Sequence, residues 1–256
     1  MPLTVPTTQP TTLQLDDRWA FGPGILHGGF LLELLAGHAV TELHPHPLAT
    51  SAHFLHAVRP GPAEIAVEVL RTGRSTSTAR VRLAQGDRLS LDVVVTAGRL
   101  ERPGPPLYAD LAAPALPPLE ECVPGGALVA GERNGITDNV EQRLDPATVG
   151  WRGEPREHAE IRGWLRSATG REVDALFLLC LADALPPVPY ALGHQGWVPT
   201  VELTVHLRAL PAPGWVRARQ TGRLMQDGWL DEACDLWDAD GHLVAQAHQL
   251  AGYRRA

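Results

Sequence analysis

One order of predicted elements occurs twice along this chain of 256 residues, once on each side of a proline-rich segment. In the first half, the apolar helix "FLLELLAGHAVTEL" precedes "PLATSAHFLHAVRPG" and three strand-like runs. In the second half, the helix "VDALFLLCLADAL" precedes "VPTVELTVHLRALPAPG" and three more strand-like runs. The shared order indicates that both halves adopt the same architecture.

Individual residues also recur at matching positions in the two halves. His53 stands eight places before a glycine, and His206 stands eight places before another. The tripeptide "TGR" begins at Thr72 and again at Thr221. Each half then contains a dipeptide that suits a two-residue turn, because glycine accepts a positive φ: Gly86-Asp87 and Asp240-Gly241. Together these matches predict a duplicated domain.

The patterning of each half predicts one buried helix wrapped by an antiparallel sheet. The first helix is apolar nearly all round, and a helix with so little polar surface is buried. In the runs that follow, apolar Ala79, Val81 and Leu83 alternate with Arg80 and Arg82, which is typical of a sheet that covers a core with one face. This combination is a hot-dog fold. The chain is therefore predicted to be an α+β protein of two tandem hot-dog domains, a double hot dog, packed sheet to sheet.

A segment rich in proline separates the two predicted domains. It runs from 101 to 130 and holds seven of the 23 prolines, which can neither continue a helix nor donate within a sheet. We therefore expect an N-terminal hot-dog domain at 1–100, an extended linker at 101–130 and a C-terminal hot-dog domain at 131–256.

Composition and charge exclude several classes of function. Lysine is absent, so all 22 Lys+Arg residues are arginine and a P-loop, which needs a lysine, is ruled out. A net charge of −7 and a pI near 5.9 argue against general binding of nucleic acid or of an anionic membrane. The three cysteines are too scattered for a disulfide framework or a zinc site. With neither a leader-like start nor a membrane-spanning run, we expect a soluble cytoplasmic protein.

The glycine-rich stretch "FGPGILHGGF" enters the first helix and could serve either a ligand or the packing of the chain. It does not fit the dinucleotide fingerprint, because His27 occupies the place of the third glycine. The first N–H groups of a helix lack internal partners, so here they could polarise a carbonyl group that Gly28 and Gly29 allow to approach closely. The alternative is a tight turn in which the glycines only permit close packing.

Several segments together resemble the type II acyl-CoA thioesterases, a family with the double hot-dog fold. They are "HGGFLLELL", "FLHAVRPG", "VEVLRTGRSTSTARVRL", "PTVELTVHL" and "VAQAHQLA", and the likeness covers most of 15–100 and 160–252. The pattern Arg71-x-Gly73-x-Ser75-x-Ser77 is the most specific part. The resemblance implies hydrolysis of an acyl-CoA to free CoA and a carboxylic acid, in fatty acid metabolism, without a metal or an organic cofactor.

The resemblance also implies which residues are catalytic. The family holds and deprotonates a water with an aspartate, a threonine and a glutamine, all in the second copy. Gln249 falls on the glutamine, and Glu202 takes the place of the aspartate. Thr221 is the candidate for the threonine, with Arg223 as the alternative for that place. Glutamate for aspartate is a departure that moves the carboxylate by about 1.5 Å, so either the pocket compensates or activity is weak.

The internal repeat offers a check on these residues. Aligning the halves sets Ala49 opposite Glu202 and Val95 opposite Gln249, so the first copy is apolar where the second is polar. One site per pseudo-dimer would produce this pattern, and so would two scaffolds that drift independently. In the second case, Glu202 lies on the solvent face of a strand and Gln249 lies at an edge.

The remaining candidate residues concern the substrate. We expect a medium or long acyl chain to lie along a central helix, with the thioester near His27, Gly28 and Gly29. Ser75 is expected to line or support the acyl groove, with plain sheet packing as the alternative. Surface arginines are expected near the nucleotide, because phosphate contacts need local positive charge; the candidates are Arg59, Arg71 and Arg74.

No metal site is expected. The histidines of "HPHP", with His53 and His56, have neither nearby cysteine nor paired carboxylates.

The alternative function and the oligomeric state stay open at this stage. A catalytically silent protein that binds acyl-CoA or an acyl carrier is the alternative function, and it is favoured by the departure at Glu202. Assembly into homo-oligomers is also open, because a double hot dog already supplies the dimer that single copies need.

Overall fold

The computed structural model describes residues 10–126, 134–194 and 196–253. The end of the expected linker and the start of the expected C-terminal domain, at 127–133, lie outside the described residues, as do 1–9 and 254–256. The first half comprises β1 Thr11–Leu15, β2 Ala20–Phe21, β3 Ile25–Leu26, α1 Gly28–Gly37, β4 His46–Phe54, β5 Gly61–Thr72, β6 Ser77–Gln85 and β7 Arg88–Gly98. The second half comprises β8 Val123–Pro124, α2 Gly135–Asn139, β9 Val140–Leu144, β10 Glu160–Ser167, α3 Ala175–Leu181, β11 Thr200–Leu207, β12 Val216–Thr221, β13 Met225–Gln226, β14 Trp229–Trp237 and β15 Leu243–Gly252.

The described strands form one large antiparallel sheet with the helices against it. Its order is β1-β5-β6-β7-β4-β11-β15-β14-β12-β10-β9-β8, with β13 paired to β14 and with β2 and β3 in a separate hairpin. Strands of the first half therefore occupy one side and strands of the second half the other, so the predicted double hot dog is confirmed. The predicted packing of sheet to sheet is corrected, because β4 pairs with β11 and joins the two halves edge to edge.

The junction of the two halves lies on a pseudo-twofold axis. In the ladder of β4 and β11, Ser51 pairs with Thr204, and their hydroxyl oxygens lie 2.8 Å apart. These two residues are equivalent in the sequence repeat, since each stands two places before a repeated histidine, His53 or His206. A twofold axis through an antiparallel ladder pairs equivalent residues in this way. The register of the sheet thus confirms the alignment of His53 with His206.

A β-bulge interrupts both central strands at equivalent places. The register shifts around Leu48 in β4 and around Val201 in β11. A bulge places one extra residue in its strand, so the side chains before and after it no longer alternate regularly between the two faces. This irregularity decides which side chains at the start of β11 face the core.

The two long helices lie against each other and run antiparallel. Gly29, near the start of α1, is close to Cys180, near the end of α3, whereas Gly37 is close to Leu176. Both helices are shorter than the sequence predicts. The first ends at Gly37, a residue of low helix propensity, and the second ends before the "PP" pair at 186–187. Each has a core-facing surface of fully buried leucines, which include Leu32 of α1.

The two predicted turns differ in length. β6 and β7 are joined by the expected two-residue turn, with Gly86 at φ +63°. The link between β14 and β15 is longer than the expected two residues, because the buried Asp238 carboxylate organises it. That carboxylate accepts hydrogen bonds from the N–H groups of Ala212, Asp240 and His242.

The expected linker lies along the second half of the molecule. Residues 99–122 contain neither helix nor strand, and the Pro117 carbonyl accepts a hydrogen bond from the Trp164 indole at 3.1 Å. β8 follows within the expected linker and pairs with β9, so this part belongs to the sheet of the second half. Among the described helices, none is long and apolar enough to cross a membrane.

The buried position of α1 generates a prediction about stability. Leu32→Ala should lower the free energy of unfolding by about 2–5 kcal/mol, because it leaves a cavity in the shared core. Leu43→Ala is the matched control, since Leu43 is 54% exposed just beyond the helix; it should change stability by no more than about 0.5 kcal/mol. Chemical denaturation measures both variants. Equal effects would contradict the position assigned to α1.

Candidate functional site

A cavity of about 730 Å³ opens where α1 begins and α3 ends. Pockets of roughly 300–1,000 Å³ are the usual size for small-molecule ligands. Both halves contribute apolar and aromatic side chains to the wall, among them Phe21, Leu31, Phe54, Leu91, Trp151 and Trp197. Several polar side chains interrupt this lining, and those from the second half include Asp183, Thr200, Gln220, Glu232 and Gln249.

Asp183 lies in the turn after α3 and faces the start of α1. Its Oδ2 accepts a hydrogen bond of 2.7 Å from the Gly29 N–H, in the first turn of that helix. A helix N-terminus favours a negative charge, because its N–H groups are unpaired and its dipole is positive there. Burial nevertheless raises the pKa of Asp183 above its usual value, and His27 and the Gly29 N–H oppose that rise. The carboxylate is therefore held in one position and made more basic than usual.

His27 caps α1 and holds Asp183 at the same time. Its Nδ1 accepts a hydrogen bond of 3.3 Å from the Phe30 N–H. Its Nε2 lies 2.9 Å from the Asp183 carbonyl oxygen and 3.3 Å from Oδ2 of the same residue. Because Nδ1 accepts, the proton of the neutral ring is on Nε2, which donates to Asp183. The side chain is only 4% exposed, so His27 supports Asp183 and presents little surface to a ligand.

Gly28 and Gly29 permit the close approach of the second half to the start of α1. A Cβ at Gly29 would lie 2.7 Å from the Cys180 carbonyl oxygen, and one at Gly28 would lie 2.9 Å from Asp183 Oδ2. The N–H groups of Gly29 and Phe30 are already used, so the Gly28 N–H is the one in the first turn without an acceptor among the described residues. The glycine-rich stretch thus serves close packing and the binding of a carboxylate together.

A second polar group on the cavity wall connects three strands. The Thr200 hydroxyl donates to Gln249 Oε1 at 3.0 Å, and Gln249 Nε2 donates to Glu232 Oε2. The other carboxylate oxygen of Glu232 accepts from the Val188 N–H at 2.6 Å. Gln249 and Glu232 are direct partners in the ladder of β15 and β14, so the sheet register brings their side chains together.

The bulge at Val201 brings Thr200 to this group. In a regular strand, Thr200 and Glu202 would point to the same face. With the extra residue between them, Thr200 instead pairs with the buried Ala251, and its hydroxyl reaches Gln249.

Glu232 is buried without a cationic partner in the cavity. It is 2% exposed, and no arginine is among the described residues that line the wall. Burial raises its pKa to about 7, against the lowering effect of hydrogen bonds from Val188, Gln220 and Gln249. The charge of Asp183 acts in the same direction as burial. Glu232 therefore titrates near neutral pH.

The structure does not bring Glu202 and Gln249 together, which corrects the expectation that they share a water. Leu203, and not Glu202, is the ladder partner of Gln249, and neighbouring residues of a strand point to opposite faces. Glu202 lies on the outer face of β11, where it pairs with His53 of β4 and accepts a hydrogen bond of 2.6 Å from Thr204. The solvent-face alternative describes its position.

Thr221 and Arg223 also lie away from the cavity wall. Thr221 ends β12 and pairs with Ala233 of β14. Arg223 follows in the next turn, where its N–H donates to Asp231 Oδ1 at 3.2 Å. Neither is among the residues that line the cavity, and the threonine hydroxyl beside Gln249 is that of Thr200.

The arginine candidates divide into two places. Arg59 is exposed near the cavity, where it donates to the carbonyl of Pro23, a lining residue, at 2.6 Å. The segment with Arg71, Arg74 and Ser75 lies at the far end of the sheet, because the adjoining β6 begins opposite Ala97 of β7. That position is about 20 Å along β7 from Leu91, a residue of the cavity wall. This position away from the cavity wall corrects the expected contact of Ser75 with an acyl groove there.

Sequence reasoning missed two carboxylates of the cavity. Asp183 stands near the end of the predicted helix "VDALFLLCLADAL", whose other residues there are apolar. Glu232 stands in β14 on the buried face, between Leu230 and Cys234 of the alternating pattern. The available signal was a single acidic residue placed on a core-facing position, which is costly without a partner.

The first half has an apolar counterpart of the polar group. Ala79 pairs with Val95 in the ladder of β6 and β7, as Glu232 pairs with Gln249 in that of β14 and β15. Both Ala79 and Val95 are buried. The contrast noted in the sequence between Val95 and Gln249 therefore extends to a pair of neighbouring positions.

Possible metal ligands cluster at one place in the described part of the chain. Asp238, Asp240 and His242 lie close together in the turn between β14 and β15. The Asp238 carboxylate already accepts backbone N–H groups there, and the cluster is separate from the cavity residues.

Comparison with known proteins shows that the chain is similar to thioesterases. Residues 15–98 match the acyl-CoA thioesterase N-terminal domain, and residues 114–253 match the acyl-CoA thioesterase C-terminal domain. An uncharacterised protein of Mycobacterium tuberculosis is 34% identical, over 93% of this chain and 89% of its own length. A protein of Thermobifida fusca, whose assignment as a thioesterase II is provisional, is 35% identical with a TM-score of 0.86, over 96% of this chain and 92% of its own. A hot-dog protein of unknown function from Alicyclobacillus acidocaldarius is similar in fold, with 20% identity, a TM-score of 0.82 and coverage of 96% and 94%.

The titration of Glu232 generates a prediction about stability and pH. Its pKa is about 7 in the folded protein against an ordinary 4.5, so the folded state holds the proton more tightly than the unfolded state. Raising the pH through this window should therefore remove about 2–3 kcal/mol of stability. Glu232→Gln should lose less stability over the same window, because it has no proton to release. Urea denaturation at a series of pH values compares the two proteins, and parallel curves would contradict the titration.

Proposed function

The chain belongs to the acyl-CoA thioesterase family, and on that premise we propose that it hydrolyses an acyl-CoA with Asp183 as the base. The observation that carries this proposal is the position of Asp183 on a cavity wall that also holds Thr200 and Gln249. The family resemblance calls for an aspartate, a threonine and a glutamine in the second copy, and these three residues supply them. We therefore assign to Asp183 and Thr200 the roles of base and water-orienting threonine, which the sequence had suggested for Glu202 and Thr221.

The proposed reaction begins with a water between the polar side chains and the thioester. Asp183 takes one proton from the water as its oxygen attacks the carbonyl carbon, and a tetrahedral intermediate forms. The carbon–sulfur bond then breaks, and the leaving CoA thiolate takes the proton from Asp183, which restores the carboxylate. The products are CoA and a carboxylic acid. The raised pKa of Asp183 supports its role, because it makes the carboxylate a better base.

Thr200 and Gln249 are proposed to orient the water. An attacking water must direct a lone pair at the carbonyl carbon, so both of its protons need acceptors. Asp183 accepts one of them. The Gln249 carbonyl oxygen, which already accepts from Thr200, has a second lone pair for the other.

The start of α1 is proposed to stabilise the developing negative charge on the thioester oxygen. We assign this role to the Gly28 N–H, because the N–H groups of Gly29 and Phe30 already donate to Asp183 and His27. The positive end of the helix dipole favours the same oxyanion. This arrangement retains Gly28 as a substrate-binding residue, whereas Gly29 and His27 position the base.

The apolar remainder of the cavity is proposed to hold the acyl chain, with the nucleotide outside. Leu31 of α1 is on the wall, so a chain in the cavity would run beside this helix. Arg59 lies near the mouth and is the candidate among the three expected arginines for a contact with phosphate.

The alternative of a catalytically silent binding protein loses its main support from the sequence. That support was the replacement of the family aspartate by Glu202. With Asp183 in the cavity, the chain retains an aspartate, a threonine and a glutamine of the kinds that the family uses.

Asp183→Asn provides the test of the proposed base. The substituted amide can still accept from the Gly29 N–H, but it cannot take a proton, so kcat should fall about 100-fold or more. Acyl-CoA binding should change little, because the base acts mainly in the transition state. Thiol release from a panel of acyl-CoAs measures turnover. Glu202→Gln is the matched control and should hydrolyse at the wild-type rate; the opposite ranking would restore Glu202 as the base.

The proposed site of the nucleotide gives a separate prediction. Arg59→Ala should raise KM for acyl-CoA about two- to fivefold at low salt, since one exposed charge pair contributes up to about 1 kcal/mol. The effect should shrink as salt is added, because exposed charges are screened. The double variant Arg71→Ala/Arg74→Ala is the control at the far end of the sheet. A larger change in the control than in Arg59→Ala would refute this placement of the nucleotide.

A further inference from the structure

We propose that Glu232 is a positioning residue that sets the orientation of the Gln249 amide, so that its carbonyl oxygen, and not its NH₂ group, faces Thr200 and the reacting water. The inference rests on the proposed function and adds a residue for which the family resemblance provides no role. Glu232 contacts neither the base nor the oxyanion position in this scheme. It acts through Gln249.

The first observation is the set of donors around the Glu232 carboxylate. The Val188 N–H donates to Oε1 at 2.6 Å, and Gln249 Nε2 donates to Oε2. The Gln220 amide, which donates to the Pro186 carbonyl at 3.3 Å, also lowers the pKa of this carboxylate. An ionised carboxylate can only accept hydrogen bonds, so the Gln249 amide must turn its NH₂ group towards Glu232. Its oxygen then faces the other way, towards Thr200, as observed.

The second observation is that the Val188 donor cannot reverse. It is a backbone N–H, and one oxygen of Glu232 must always accept from it. When Glu232 is protonated, its carbonyl oxygen is the better acceptor for Val188, so the proton resides on the other oxygen, which faces Gln249. That oxygen becomes a donor, and the Gln249 amide satisfies it by turning over. Its NH₂ group then faces Thr200 and the water, which loses an acceptor for its second proton.

The surroundings of Glu232 make such a change of charge accessible near neutral pH. Among the described residues, the titratable groups that interact with it are Asp183, Tyr190 and Cys234. Each of them is neutral when protonated and negative when deprotonated, so none supplies a positive charge to Glu232. His27 lies on the far side of Asp183. Burial raises the pKa of Glu232 to about 7.

The repeat shows that the fold itself does not require this polar pair. The equivalent ladder positions in the first half hold Ala79 and Val95 on the same kind of sheet. A buried carboxylate is costly, so its presence beside Gln249 calls for a role in the site of the second half. Orientation of the amide is a role that follows from its hydrogen bonds.

Glu232→Gln tests the proposal because it should lock the reversed amide at every pH. The oxygen of the new amide must accept from Val188, so its NH₂ group faces Gln249 and requires the Gln249 oxygen. We expect kcat to fall roughly ten- to 100-fold, as for loss of one orienting group in general acid–base catalysis, with KM within about twofold. The rise of wild-type kcat with pH near neutrality should disappear. Glu202→Gln, the same substitution on the outer face, should keep both the rate and the rise. Wild-type kcat and pH dependence in Glu232→Gln would overturn the proposal.

A measurement on the wild-type protein does not depend on the folding of a variant. In ¹⁵N-labelled protein, the side-chain amide resonances of Gln249, assigned by their loss in Gln249→Met, should shift with a midpoint near neutral pH. Resonances that stay constant across that range would overturn the inference. A wild-type protein that hydrolyses no acyl-CoA would instead contradict the proposed function, and the amide resonances would still decide whether Glu232 orients Gln249.

Discussion

The contact between the Asp183 carboxylate and the first turn of α1 links the two halves at the candidate active site. One half supplies the carboxylate, and the other supplies the Gly29 N–H and the cap, His27, that hold it. A contact of 2.7 Å between different halves requires that the halves be fixed relative to each other. The continuous ladder of β4 and β11 provides that constraint. The Asp183 carboxylate therefore has a defined position only in the assembled double fold.

The polar pair of Gln249 and Glu232 belongs to one half of the repeat. The two halves share strand order, a central bulge and a buried helix. They differ at one pair of neighbouring ladder positions, which holds the apolar Ala79 and Val95 in one half and the polar Glu232 and Gln249 in the other. Buried polar groups are retained at a cost, and in the second half hydrogen bonds satisfy both of them.

The placement of Glu202 illustrates the limit of reasoning from sequence segments. The segment "PTVELTVHL", which the resemblance assigns to the site, forms β11 and pairs with the strand of Gln249, and Gln249 lines the cavity. The choice within the segment depended on which side chains face inward. That choice changes with a shift of one residue, because strand side chains alternate between faces. The bulge at Val201 introduces such a shift, and it brings Thr200 to the cavity side.

The sequence alone determined the repeat, the α+β double hot dog, the family and the segment that carries Gln249. The repeat and the fold follow from local patterns, such as alternating apolar residues and an apolar helix, whose energetic preference is similar wherever the segment lies. The family and the segment of Gln249 follow from the resemblance of several short segments to the type II acyl-CoA thioesterases. Only the tertiary structure decided that Asp183 and Thr200 share the cavity, that Glu232 joins them, and that the segment of Arg71 to Ser75 lies at the far end of the sheet. Those relations depend on a bulge, on the ends of two helices and on the pairing of two halves. They are contacts between residues distant in sequence, so no local pattern specifies them.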